Sequence, residues 1–172
     1  MELRGETMGD TFNISEHFTL KEAWHTSHSD LLDENHRHCS ENMDRVVDLA
    51  RGPLELIRKE FGPVLVSSWV RCPALNERIG GAKNSQHLDG SAADIYLPAK
   101  DWGWSMAAEI VKVVIAGINP YGQVIREVNR RGLVWVHVSL PDRARDIKYQ
   151  TLDQFNGRYY PFNADFKLVS PP

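Results

Sequence analysis

Two histidines and one aspartate stand where a folded chain could bring them together on a metal ion. His87 and Asp94 flank a turn that contains Gly90, and His137 lies in the apolar segment 134–138. Two imidazoles and a carboxylate are the ligand set of an open catalytic zinc site, which keeps a fourth position for water. Such an ion lowers the pKa of bound water towards about 7 and polarises a carbonyl group. These residues therefore predict a hydrolase with one Zn2+ ion and zinc-bound water as the nucleophile.

A hydrolase of this kind also needs a group that moves protons, and Glu127 is the candidate general base and acid. Residues 129–132 have the composition of a hairpin turn, which would fold the strand carrying Glu127 back beside the strand carrying His137. The alternative is an edge-strand carboxylate paired with Arg130 or Arg131.

The three candidate ligands can meet only if two predicted strands are neighbours. These strands are residues 92–97, which include Asp94, and residues 133–140, which include His137. Each residue taken alone has a simpler interpretation, because a strand histidine is more often hydrogen-bonded in a core than bound to metal. The metal site thus predicts one particular pairing in the sheet.

The remaining patterns predict an α+β domain, with a small, mostly antiparallel sheet and helices packed on one side. A capping box at 19–22 starts a short helix. An apolar stripe at 43–61 predicts a longer helix, capped by Ser40 and kinked or split at Pro53. The other predicted elements are a helix at 105–116, capped by Ser105, and strands at 64–70 and 122–128.

Four further histidines fall in a polar segment before that longer helix, namely His25, His28, His36 and His38. Their neighbours are serine, aspartate, asparagine and arginine, and no predicted strand or helix aims them at a common point. We interpret them as solvated loop residues rather than metal ligands.

Length and composition bound the class of protein. A chain of 172 residues with 42% hydrophobic content predicts a single domain over 1–172, with a loose arm at 1–14 and a C-terminal wrap at 141–172. The net charge of -3 gives no reason to expect nucleic acid or an anionic membrane as partner. We expect a monomer with no membrane insertion.

Cysteine content and the N-terminus point to a reducing compartment. Cys39 and Cys72 are too few for a disulfide framework or a thiolate zinc site and are interpreted as reduced packing residues. The first residues lack the apolar core of a signal peptide, so we expect synthesis in the cytoplasm.

Longer segments resemble a known family. The motif Ser85-x-His87-x-x-Gly90-x-Ala92-x-Asp94, followed by Trp135-Val136-His137-Val138-Ser139, resembles the zinc D-alanyl-D-alanine carboxypeptidase-like peptidases. That family shares its fold with the hedgehog signalling domain and the vancomycin-resistance dipeptidases. Segments 18–22, 67–76, 80–81 and 84–87 are similar to its bacteriophage and prophage branch.

The resemblance implies roles for several residues. The two histidines and the aspartate would bind zinc, and Arg71 and Ser85 would lie in the substrate groove, where the guanidinium could hold a peptide carboxylate. Gln86 would orient substrate or stabilise its own loop. Arg71 could instead form a surface ion pair, and Ser85 could be a turn former. Many family members carry the acid/base at the position of Val134, whereas Glu127 matches the phage-type branch.

The resemblance also implies a substrate, which is the peptidoglycan stem peptide, cut by a carboxypeptidase or an endolysin. Release from the cytoplasm during phage lysis, or incorporation in a virion, would bring the protein to the cell wall. Two alternatives stay open at this point. One is a catalytically inactive zinc-binding virion or structural module, and the other is a non-haem iron oxygenase, which also uses two histidines and a carboxylate.

Overall fold

The computed structural model describes residues 12–165 as helices packed on a six-stranded sheet. The helices are α1 (Leu20–Trp24), α2 (Leu32–Glu41), α3 (Met43–Leu49), α4 (Glu55–Phe61), α5 (Pro73–Arg78) and α6 (Trp104–Gly117). The strands are β1 (Leu65–Ser68), β2 (Ala92–Tyr96), β3 (Gln123–Val128), β4 (Val134–Ser139), β5 (Gln150–Phe155) and β6 (Arg158–Pro161). The predicted α+β class is confirmed.

The sheet has the strand order β1-β2-β4-β3-β5-β6. All neighbouring strands are antiparallel except β3 and β5, which are parallel. The pairing on which the metal site depends is present, because β2 lies beside β4 and Asp94 is directly opposite His137.

One face of the sheet forms the core. Helix α6 packs on β3 and β4, and α4 packs on α6. Because side chains alternate along a strand, successive residues of β2, β3 and β4 point to opposite sides of the sheet, and Asp94, Glu127 and His137 all lie on the side away from this core. The apolar sheet residues of this core include Ala93, Ile95, Val124, Val136 and Val138, and they share a cluster with Ile110, Val111 and Val114 of α6.

Two helix signals in the sequence are confirmed. Thr19 and Glu22 form the reciprocal hydrogen bonds of a capping box at the start of α1. Pro53 lies in a π-helical turn, Ala50–Leu54, that separates α3 from α4. Proline lacks the backbone N–H that a continuous helix would use there, so the apolar stripe is split into two helices.

The interpretation of His36 and His38 as loop residues is wrong, because both lie in α2. Ser40 also lies inside this helix and does not cap the next one. The buried stripe of the segment consists of Leu31, Asn35 and Cys39 at steps of four residues. Its central member is polar, so the helical period is absent from the hydrophobic pattern.

Asn35 is buried because its amide joins three segments. Its Oδ1 accepts a hydrogen bond from the Cys72 backbone N–H at 2.7 Å. Its Nδ2 donates to the carbonyl oxygens of Trp24 at 2.7 Å and Val70 at 3.0 Å. These bonds fix the chain that follows β1 against α1 and α2.

The start of α6 differs from the prediction. The helix begins at Trp104 with Gly103 as its N-cap, and Ser105 lies within the first turn. Cys39 and Cys72 are free and buried, as predicted, and burial raises the pKa of the Cys39 thiol to about 12. No helix within residues 12–165 is long and apolar enough to span a membrane.

The described parts of the expected arm and of the expected wrap are more structured than the sequence indicates. Most of the expected arm, residues 1–11, lies outside the described residues, but Ile14 is buried in the core. The expected wrap contains β5 and β6, which extend the sheet beyond β3. Residues 166–172 lie outside the described part of the chain.

Candidate metal and catalytic site

Three side-chain atoms converge on the polar face of the sheet. The distance from His137 Nδ1 to Asp94 Oδ1 is 3.0 Å. His87 Nε2 lies 3.3 Å from the same carboxylate oxygen and 3.3 Å from His137 Nδ1. All three residues are buried. The structure therefore brings the three candidate ligands together, although His87 and His137 are 50 residues apart along the chain.

This triangle fits a zinc ion. Ligand atoms about 2.0–2.1 Å from a tetrahedral centre lie about 3.3–3.4 Å from one another. Hydrogen bonds alone satisfy these three atoms poorly. A single proton on His137 Nδ1 can point either to Asp94 or to His87, and two lone pairs are then left facing each other. A cation attracts all three lone pairs at once.

The loop between β1 and β2 orients His87. Its Nδ1 lies 2.6 Å from the backbone oxygen of Trp69, so Nδ1 carries the proton and Nε2 presents its lone pair. The Trp69 indole in turn donates to the Gly90 carbonyl oxygen at 3.0 Å. Gly90 has φ +74°, and a Cβ there would lie 2.7 Å from a methyl group of Val46. Glycine is therefore required at this turn.

His137 is oriented differently. Its second nitrogen, Nε2, is buried and has no hydrogen-bond partner among residues 12–165. The position of His137 on β4, opposite Asp94 on β2 and Ile125 on β3, therefore orients the ring. The contacts of its Nδ1 with Asp94 and His87 add to this.

Arg71 holds the second oxygen of the candidate aspartate ligand. Its Nη2 donates to Asp94 Oδ2 at 2.5 Å, and its Nε donates to Ser68 Oγ at 2.8 Å. The backbone N–H of Arg71 also donates to the His87 carbonyl oxygen at 2.9 Å. Arg71 thus leaves Asp94 Oδ1 facing the histidines and connects both ligand segments.

The protonation states suit a metal site. Burial lowers the pKa of His87, which keeps the imidazole neutral. Burial acts to raise the pKa of Asp94, but His87 and His137 outweigh it and hold that pKa well below its usual range. Zinc ligands must be deprotonated, and both groups meet this condition at neutral pH.

Glu127 lies on the same face of the sheet, on the strand next to the one that carries His137. It is opposite Trp135 in the sheet and is 9% exposed. Burial raises its pKa to about 7. Arg130 and Arg131 are exposed at the turn, so the alternative of an exposed edge ion pair does not describe this carboxylate. A carboxyl group with a pKa near 7 can both accept and donate a proton at neutral pH.

These groups line an open cleft of about 620 Å³. Arg71, Ser85 and Gln86, the predicted substrate-binding residues, all line it. Ser85 caps the short helical turn Gln86–Asp89 by accepting from the His87 N–H at 3.3 Å. Gln86 donates to the Leu140 carbonyl oxygen at 2.9 Å, which supports its role in stabilising the loop. Their roles toward substrate stay predictions.

The structure adds residues that the sequence analysis did not single out. Gln154 on β5 and Tyr159 on β6 also line the cleft. Arg145, in the loop between β4 and β5, donates to Asp89 Oδ2 at 2.6 Å and so fixes the turn after His87. These contacts join distant parts of the chain, and no local pattern signals them.

Comparison with known proteins agrees with this geometry. A search of the curated proteins finds no match. A family model described as peptidase M15 matches residues 25–139, which is more than half of the chain and contains the three ligand candidates and Glu127. The chain therefore belongs to the peptidase M15 family.

Proposed function

We propose that this chain is a zinc peptidase that hydrolyses peptide bonds of peptidoglycan stem peptides. The observation that carries the proposal is the triangle of ligand atoms from His87, Asp94 and His137, with sides of 3.0, 3.3 and 3.3 Å, at the floor of an open cleft. Peptidase chemistry is supported by membership of the M15 family.

Each residue of the site has its own role in the proposed reaction. A zinc ion held by the three ligands would polarise the scissile carbonyl and make water more acidic. Glu127 would take a proton from the attacking water and pass it to the leaving amine, and its pKa of about 7 supports both steps. Arg71 orients Asp94, and the Trp69 carbonyl orients His87.

The substrate class comes from the sequence resemblance to D-alanyl-D-alanine carboxypeptidase-like enzymes. We extend the proposal to a protein that reaches the cell wall during phage lysis or as part of a virion. Bonds that involve D-amino acids are its expected targets, and the open cleft can admit an extended peptide.

The alternative of an inactive zinc-binding module was motivated by the absence of a carboxylate at Val134. In the structure Val134 packs against the core, whereas Glu127 lies in the cleft. A carboxylate is therefore present on the face where the reaction would occur. The oxygenase alternative is not supported by the family match.

The test combines metal analysis with digestion of isolated sacculi, followed by mass spectrometry of the products. We expect one zinc per chain and release of peptide fragments. His87→Ala should lose the zinc, while the exposed control His25→Ala should keep it. Glu127→Gln should keep the zinc and lower the rate by about 10²–10⁴-fold.

Two results would overturn the proposal. One is zinc-loaded protein that leaves sacculi and soluble muropeptides intact. The other is a Glu127→Gln variant with the full rate of the wild type, which would remove the assigned proton carrier.

A further inference from the structure

Four cleft residues form a row across the sheet. Glu127 on β3 is the register partner of Trp135 on β4 and of Gln154 on β5. Gln154 is in turn the partner of Tyr159 on β6. All four line the cleft. Since the ligands Asp94 and His137 lie on β2 and β4, the row runs from the metal site past the proton carrier to the C-terminal hairpin.

The hairpin of β5 and β6 is firmly attached to the rest of the domain. Arg126, which is fully buried, donates to both carboxylate oxygens of Asp153 at 2.8 and 3.0 Å. The same arginine donates to the Asn163 carbonyl oxygen at 2.8 Å, and its guanidinium lies 3.9 Å from the Trp104 ring centre. The hairpin is therefore a fixed wall of the cleft.

This wall lies outside the family match, which ends at Ser139. It is polar and presents no cation to the cleft. The Oε1 atom of Gln154 is buried without a hydrogen-bond partner among the described residues. Tyr159 is 58% exposed. Partial burial and the carboxylates of Glu127 and Asp94 raise the pKa of its hydroxyl, which stays a donor.

A free peptide carboxylate would need a positive charge in the cleft. Among the cleft residues that the structure describes, Arg71 is the single lysine or arginine. Its guanidinium already donates to Asp94 and Ser68, on the β1 and β2 side. The hairpin side offers amide and hydroxyl groups, which suit the N–H and C=O groups of a continuing peptide.

We propose that Gln154 and Tyr159 form the subsite for the leaving segment and that this subsite binds a continuing peptide, so that the enzyme cuts internal bonds. This inference rests on the proposed peptidase function. Neighbouring strands are about 4.8 Å apart, so the distance from β3 to β6 is about 10 Å, which is the length of about three extended residues. A subsite for one terminal residue would be much shorter.

The chemistry places the leaving segment on this side. Hydrolysis breaks the C–N bond, forms a C–O bond to water oxygen and leaves a carboxylate and an ammonium group, with both water protons on the nitrogen. Glu127 delivers a proton to that nitrogen, so the leaving amine lies next to Glu127. The next groups along the row are Gln154 and Tyr159.

The test uses soluble muropeptides, both monomers and cross-linked dimers, with products identified by mass spectrometry. We expect leaving fragments of two or more residues. Gln154→Ala and Tyr159→Ala should each raise KM by about five- to tenfold and leave kcat within about twofold, because each removes one contact outside the reacting atoms. The control is Tyr160→Ala, which changes the adjacent residue of β6 outside the cleft.

Binding gives a second readout without turnover. In the Glu127→Gln background, isothermal titration with the uncleaved dimer should show the same loss of affinity for the Gln154 and Tyr159 variants. Release of single D-alanine as the main product, or wild-type KM and affinity in both variants, would overturn the inference alone. Wild-type protein that cuts no muropeptide would overturn the proposed function and this inference with it.

Discussion

Glu127→Gln should change how the stability of the metal-free protein depends on pH. The ordinary pKa of a glutamate is 4.5, and burial raises that of Glu127 to about 7 in the folded protein. Between these values the folded state binds a proton that the unfolded state releases. The free energy of unfolding therefore falls as pH rises from 4.5 to 7, and it levels off above 7.

The size of the effect follows from the two pKa values. The pKa values of the folded and unfolded states differ by about 2.5, and a pKa difference of one corresponds to 1.36 kcal/mol, so the full effect is about 3 kcal/mol. About 2.5 kcal/mol of this free energy is lost between pH 5 and pH 8. The carboxyl group is 9% exposed, so solvent screening removes little of it. Glutamine keeps the shape and the hydrogen-bonding capacity without the charge. The variant should thus lose this part of the pH dependence.

The assay is urea unfolding in EDTA at pH 5 and pH 8, for the wild type, Glu127→Gln and the control Glu109→Gln. Glu109 is an exposed carboxylate of α6. The control should show the pH dependence of the wild type. Between pH 5 and pH 8 the free energy of unfolding of Glu127→Gln should rise by about 2.5 kcal/mol relative to that of the wild type. Parallel behaviour of all three proteins would refute a buried Glu127 with a pKa near 7. Added zinc should reduce the wild-type pH dependence, because a nearby cation lowers the pKa.

Three further changes test the framework around the site. Arg71→Gln should weaken zinc binding about 10–100-fold in competition with a chelator, because Asp94 loses the partner of its Oδ2 atom. Arg126→Leu should cost about 3–5 kcal/mol in urea unfolding, since it leaves the Asp153 carboxylate buried and unpaired. Asn35→Ala should cost about 2–4 kcal/mol, because three backbone groups lose their partners, two of them in buried hydrogen bonds.

Matched controls separate these effects from general damage. Arg78 pairs with Asp30 on the surface, so Arg78→Leu should cost less than about 1 kcal/mol. Unchanged zinc affinity in Arg71→Gln would mean that Asp94 needs no orienting partner. Near wild-type stability for Arg126→Leu would show that the hairpin is not held by this ion pair.

Much of the candidate metal site could be predicted from short segments of the sequence. Histidine and aspartate are ligand types by their chemistry, and strand alternation placed Asp94 and His137 on faces that could meet. The turn at Gly90 and the capping box of α1 are decided within a few residues. The same locality explains the error at α2, where the buried amide of Asn35 interrupts the apolar period but packs as part of the core.

Tertiary structure decided what no neighbouring residues encode. That β2 lies beside β4, that Arg71 reaches Asp94, and that β5 pairs in parallel with β3 all depend on contacts between distant segments. The raised pKa of Glu127 depends on burial by the whole fold. Residue type sets which chemistry a side chain can perform, and its protonation state and reach are set by the surroundings that the folded chain provides.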